Sequence, residues 1–260
     1  MMQPPVAAQD MAQAVALIRG RYRARLAQSD TDVQAAQALR WRAFRGGAVG
    51  AGRDADGFDA RCRHLLVEDL ATGVLAGCLR LMILPDGAAI GQSYSAQFYD
   101  LTALSGARAP MVEIGRFCLR PGLVDPDVLR LALAAVTRAV DACGATLLFG
   151  CSSFHGTDWQ AHAAAFALLR ARHLAPPDRA PRIKAPEVIR FAAQPMPAEP
   201  PRAAQAGLPP LLRSYLAMGG WVSDHAVIDR DLNTLHVFTG VDLAAIPPAR
   251  ARLLRSMAAD

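Results

Sequence analysis

The segment Met111-Val-Glu-Ile-Gly-Arg-Phe-Cys-Leu-Arg120 constrains the fold more than any other, because an apolar run with the composition of a buried strand carries Glu113 and Arg116 inside it. Removing a carboxylate and a guanidinium from water is costly unless they pair or serve a ligand. The two residues are therefore either a structural ion pair or part of a functional site.

The segments around it predict a mixed α/β chain. Residues 64–69 and 74–84 read as two strands joined by the turn-forming Thr72-Gly73, with Arg80 emerging from the second apolar segment. Arg21 to Leu26 alternates like a half-buried strand. Ser29 to Asp32 supplies N-cap candidates for a helix from Asp32 to about Arg45, whose face is Val33, Ala36, Leu39 and Arg40. Gly46 to Gly52 neither follows a strand nor opens a βαβ unit, so it reads as a mobile loop and not as a dinucleotide site. Beyond the central strand 111–119, a helix is expected over Leu123–Cys143, stopped by Gly144, then a strand over Thr146–Cys151 and a helix over Trp159–His173. Leu174 to Gly207 is rich in Pro and Ala and reads as an insertion, interrupted by the strand-like Glu187 to Phe191. A short helix over Leu211–Met218 and a pair of strands, Trp221–Ile228 and Leu235–Val241, close the chain. Residues 1–20 are expected to be a lead with little function, and 21–260 a single domain.

Composition narrows the function classes. Among 260 residues, 52% are hydrophobic and 20% charged, and no apolar run reaches the twenty or so residues that span a bilayer. Met1 to Gly20 lacks a basic stretch followed by a long apolar one, so export is not expected and a cytoplasmic location is. The five cysteines are odd in number and lack Cys-x-x-Cys spacing, which predicts reduced thiols. No histidine pair has a plausible third ligand, so no metal is predicted. The net charge of +5 suits acidic partners. With only 6% aromatics and no recognisable reading motif, nucleic acid is not expected to be one of them.

Four motifs occur in order: Arg40-x-x-x-Phe44, Asp56-x-Phe58-Asp59, Gly77-Cys78-x-Arg80-Leu81 and Glu113-x-x-Arg116-Phe117. This order resembles the acyl-homoserine-lactone synthases, which have the N-acetyltransferase-type (GNAT) fold and take acyl groups from acyl carrier protein. Phe149-Gly-Cys-Ser-Ser-Phe154, Leu208-Pro-Pro-Leu-Leu212 and Ile228-Asp229-x-x-x-Asn233 further resemble the bacterial ornithine acyl-ACP N-acyltransferases, over about residues 21–254. The resemblance implies a mainly antiparallel central sheet flanked by helices. It also implies transfer of a 3-hydroxyacyl group from acyl carrier protein to the α-amine of ornithine, giving lyso-ornithine lipid, with peripheral contact at the inner membrane face. Acyl-ACP would be a co-substrate, and no bound cofactor is expected. Three alternatives stay open: a glutamine N-acyltransferase of the same family, an acyl-homoserine-lactone synthase, and a non-catalytic acyl- or carrier-binding protein.

Acylating an α-amine requires a group that accepts its proton, and Glu113 is the candidate, with Arg116 to orient it or to bind an acidic group. A planar guanidinium suits an amino acid's carboxylate, which points to Arg80 and Arg40. Asp59 suits the substrate's cationic end or an ion pair with one of these arginines. Phe44 is a pocket wall or ordinary helix packing. Ser152 and Ser153, expected at the end of their strand, would hydrogen-bond a pantetheine arm or cap a turn. The segment Arg120-Pro-Gly-Leu-Val-Asp-Pro-Asp127 stands where coenzyme-A-dependent members bind a pyrophosphate. Its two prolines and two carboxylates do not suit one, which favours a carrier-protein donor.

Overall fold

The computed structural model describes residues 8–46, 52–196 and 202–259. In chain order its main elements are α1 (Ala8–Val15), β1 (Leu17–Arg19), β2 (Tyr22–Leu26), α2 (Asp30–Phe44), β3 (Arg63–Asp69), β4 (Val74–Leu84), β5 (Tyr99–Asp100), β6 (Met111–Leu119), α3 (Pro126–Cys143), β7 (Leu147–His155), α4 (Ala163–Arg172), β8 (Arg182–Ile183), β9 (Val188–Arg190), α5 (Pro210–Ala217), β10 (Trp221–Val222), β11 (His225–Asp229), β12 (Thr234–Asp242) and α6 (Pro248–Ala259). They fall into two compact units, one made of residues 1–83, 112–145 and 248–260, the other of 84–111 and 146–247.

The first unit orders its strands β1-β2-β3-β4-β6. The pairings β1–β2, β2–β3 and β3–β4 are antiparallel, and Gly73, at φ 68°, makes the left-handed turn between β3 and β4 that the Thr-Gly dipeptide predicts. Helix α2 starts where Ser29 accepts a hydrogen bond from the Asp32 backbone N–H, and it buries Ala36, Leu39 and Arg40. Ala36 and Leu39 pack with Leu66, Cys78 and Cys118 from β3, β4 and β6. Helix α3 begins at Pro126, later than expected, because Asp125 is its N-cap and proline is suited to the first helical position. Its apolar residues Val128, Leu131, Ala135 and Ala139 recur at helical spacing and are all buried.

In the second unit the order is β7-β12-β11-β9, with β10 also on β12. Strand β7 does not end at Cys151 as expected. It pairs antiparallel with β12 across nine residues, through Ser152 and Ser153 to His155. The strand tolerates Ser152 because its hydroxyl accepts a hydrogen bond from Thr239 Oγ1 at 2.9 Å. The strand expected over Trp221–Ile228 is broken at Ser223-Asp224. There the Ser223 hydroxyl donates to the His225 carbonyl at 2.7 Å and accepts from the Phe238 N–H at 3.1 Å, replacing ladder bonds with side-chain ones. The helix expected from Trp159 opens as a single tight turn, Trp159–His162, before α4. Within the Pro/Ala-rich segment β9 pairs with β11, while residues 197–201 lie outside the described residues, as do 1–7 and the 47–51 portion of the glycine-rich loop. The core here is Phe154, Phe166, Leu169, Phe191, Leu212 and Val237.

Candidate active site

The site is built by three elements of the first unit around the loop 52–59. Helix α2 presents Gln37 and Arg40 on one face. The Asp54 N–H donates to the Gln37 carbonyl at 3.1 Å, and an Arg40 guanidinium nitrogen donates to the Asp54 carbonyl, so the helix holds the loop by its backbone. The loop then turns three carboxylates, Asp54, Asp56 and Asp59, toward three arginines.

Arg40 is 1% exposed and grips Asp59 in two-pronged fashion, Nη1 to Oδ1 at 2.8 Å and Nη2 to Oδ2 at 2.9 Å. Its Nε lies 3.0 Å from Asp54 Oδ2. Arg80, 2% exposed on β4, donates from Nη1 to Asp56 Oδ1 at 2.5 Å and to Asp59 Oδ1 at 2.9 Å. Arg116 on β6 donates from Nε to Asp54 Oδ2 at 3.0 Å and from Nη2 to Asp56 Oδ2 at 3.3 Å. Gln37 Nε2 adds a bond to Asp59 Oδ2 at 2.9 Å, and His64 Nε2 donates to the Asp59 carbonyl at 3.1 Å. Burial opposes ionisation of Asp59, but the hydrogen bonds from Arg40 and Arg80 outweigh it and hold the carboxyl well below its usual range. Asp56 is lowered in the same way, burial being overcome by Arg80 and Arg116. Burial also lowers His64, keeping it neutral.

Strand β6 is bent to serve this cluster. Arg116 has φ 54°, in the left-handed region where a side chain other than glycine's is strained, and non-glycine outliers of this kind concentrate at functional sites. The preceding Gly115 lies next to Arg80, where a Cβ would make ordinary van der Waals contact at 4.0 Å with Nε and Nη2. Glu113, two residues earlier, is 3% exposed. Burial pushes the Cys62 thiol up to about 11, with Arg80 opposing the shift and Glu113, Asp56 and Asp59 adding to it.

At the start of α3, Asp125 accepts from the Asp127 N–H at 3.0 Å and from the Tyr22 hydroxyl at 2.8 Å. The first turn of that helix is therefore capped by the protein's own carboxylate.

Residues 39–134, which carry every one of these arginines, aspartates and Glu113, match the acetyltransferase (GNAT) domain family. The chain is 33% identical over 240 residues to the L-ornithine N(alpha)-acyltransferase of Rhodobacter capsulatus, covering 86% of this chain and 91% of that protein. The chain belongs to the L-ornithine N(alpha)-acyltransferase family. A second member, from Brucella abortus, is 33% identical over 234 residues, covering 84% of this chain and 83% of its own. Among solved structures, an N-acyl amino acid synthase from uncultured soil microbes aligns with a TM-score of 0.49 and 12% identity, covering 86% of this chain and 93% of that one. The protein is thus an acyltransferase on a GNAT-type α/β fold.

In this acyltransferase Arg40, Asp59, Arg80, Glu113 and Arg116, drawn from α2, the 52–59 loop, β4 and β6, lie in one unit. Phe44 packs against the core formed by Ala36, Leu39, Leu66, Cys78 and Cys118. Ser152 and Ser153 belong to the second unit, buried and exposed respectively on alternate faces of β7. Sequence reasoning gave no role to Asp54, Gln37 or Cys62, and quoted Asp56 only as part of a motif. The spacing Asp54-x-Asp56-x-x-Asp59 was the available signal, since three carboxylates in one short loop need three cations. Among the described residues, no group of three or more His, Cys, Asp or Glu could hold a metal ion, and no helix is long and apolar enough to cross a membrane.

Proposed function

We propose that the protein transfers a 3-hydroxyacyl group from acyl carrier protein to the α-amine of ornithine, giving lyso-ornithine lipid. The observation that carries this reading is Glu113, buried on β6 in the same unit as the Arg80–Asp56–Asp59 array, in a chain whose relatives are named for acylating ornithine. In the reaction the amine attacks the thioester carbonyl carbon and the C–S bond breaks. The amine's proton passes to Glu113, directly or through water, and the pantetheine thiolate leaves and is protonated. A backbone N–H of β6 is suited to hold the oxyanion. Arg116 and Arg40 hold the 54–59 loop in place, and Arg80 is the guanidinium assigned to the acceptor's carboxylate.

The carrier-protein donor is supported by the start of α3. Its N–H groups already serve Asp125, and Pro126 donates none, so a coenzyme A pyrophosphate would meet carboxylates there instead of free donors. The product's long acyl chain suits release from a cytoplasmic protein in peripheral contact with the inner membrane.

Purified protein given 3-hydroxyacyl-ACP and ornithine should form N-acylornithine, detected by mass spectrometry, and acyl-CoA at the same concentration should give far less. Acylation of glutamine with no product from ornithine would overturn the acceptor. Equal use of acyl-CoA would overturn the donor.

A further inference from the structure

We infer that Asp56, and not its neighbours Asp54 or Asp59, reads the side-chain ammonium of the acceptor and so selects a diamino acid over a neutral one; this rests on the ornithine reading above.

The three carboxylates are not equivalent. Asp59 accepts five donors, from Arg40 twice, from Arg80, from Gln37 and from the Asp56 N–H at 3.3 Å, and its side chain is 9% exposed. A carboxylate offers about four lone-pair sites. Asp59 has none to spare, and it serves to clamp Arg40 and Arg80. Asp54, 8% exposed, lies between Arg40 Nε and Arg116 Nε, each 3.0 Å away.

Asp56 is 26% exposed. Its Oδ1 is engaged by Arg80 and by the Phe58 N–H at 2.9 Å. Its Oδ2 meets Arg116 Nη2 at 3.3 Å, long for a charge-assisted bond, which leaves room for a closer cation. The residues on either side, Ala55 and Gly57, are small and exposed, and a Cβ on Gly57 would meet nothing within 4 Å. Asp56 is therefore the least enclosed of the three carboxylates. It lies in the same unit as Glu113, and in a diamino acid the α-amine and the terminal ammonium are separate groups that two different carboxylates can meet.

The arrangement also explains why the ammonium is not simply repelled by Arg80 and Arg116. Each guanidinium is matched by aspartates, so the three arginines and three aspartates together carry no net charge, and Asp56 is the most exposed carboxylate among them.

The test compares ornithine with 2-aminopentanoate, which has the same chain without the ammonium. Asp56→Asn should raise the KM for ornithine by about ten- to a hundredfold more than the KM for 2-aminopentanoate, the size of a lost charged hydrogen bond. Asp56→Glu should shift preference from ornithine toward 2,4-diaminobutanoate, because a methylene added to the protein compensates one removed from the acceptor. Thermal melts of both variants separate misfolding from altered selectivity. Equal losses on ornithine and 2-aminopentanoate in Asp56→Asn, with no length shift in Asp56→Glu, would overturn the assignment while leaving the ornithine reading intact. A wild-type enzyme that acylates only neutral amino acids would overturn both.

Discussion

Two buried polar regions of this molecule solve the same problem in opposite ways. In the first unit, Arg40, Arg80 and Arg116 stay charged because Asp54, Asp56 and Asp59 answer each of them. In the second unit, Tyr99, His225 and His236 sit among aromatic rings, with Tyr99 edge-on to Phe238 at 5.7 Å and Phe238 stacked on Phe149 and Trp221. There the Tyr99 hydroxyl donates to the His236 carbonyl at 2.8 Å and lies 3.1 Å from His236 Nδ1, while His236 Nε2 is buried without a hydrogen-bond partner. Burial, reinforced by the neighbouring His225, lowers His236 to about 4, so the ring is neutral. Here the packed core leaves His236 uncharged. Charge is retained under burial where each ion has a fixed partner, and such an array stands ready to meet a charged substrate.

The sharpest way to break this contrast is to remove one ion from the first region. Arg40→Met leaves Asp59 and Asp54 buried with less cation than they need, and should destabilise the fold by about 3–5 kcal/mol in denaturant melts. A loss under about 1 kcal/mol would mean that the array relaxes or takes up water, and that its charges are not held by mutual pairing.

Next in size is Glu113→Gln, which should lower turnover by about a hundredfold or more with an unchanged melting profile. A near-normal rate with a shifted melt would make Glu113 part of the ion-pair scaffold and erase the functional half of the comparison.

The smallest effect separates the regions by acid. His236 is lowered when folded, so between about pH 6.5 and pH 4 the unfolded chain binds a proton the folded one refuses, and stability falls as pH falls. Roughly 2 kcal/mol should be lost by pH 5, and His236→Gln should flatten that slope. The aspartates shift the other way. Asp56 and Asp59 lie below the ordinary carboxylate range, so their contribution persists through this window and is lost only as pH falls below it. A slope that survives in His236→Gln would place the acid sensitivity elsewhere.

Much of the fold was readable from local pattern. Strands β4 and β6 occupy the expected residues, 74–84 and 111–119, because an apolar run between turn-forming residues needs no distant information. Ser29 was among the cap candidates for α2, which starts at Asp30, two residues before the expected Asp32. Errors arose where a side chain did the work of the backbone. Ser223 breaks a strand by bonding across it, and Ser152 continues one because Thr239, eighty-seven residues away, supplies its partner. No pattern within either segment encodes the other's position.

The same division holds at the site. Sequence alone determined that charged groups would be buried on β4 and β6, since Arg80, Glu113 and Arg116 sit in segments too apolar to remain in water. It also determined the kinship of the chain, through the order of its motifs. Tertiary structure decided which carboxylate answers which guanidinium: Asp59 is closed by Arg40, Arg80 and Gln37, while Asp56, between Arg80 and Arg116, stays 26% exposed. The reason is physical. Whether a residue must be charged and buried depends on its immediate neighbours, whereas the pairing of ions depends on a few ångströms between elements far apart in the chain, and electrostatic energy in a low-dielectric interior varies steeply over that distance.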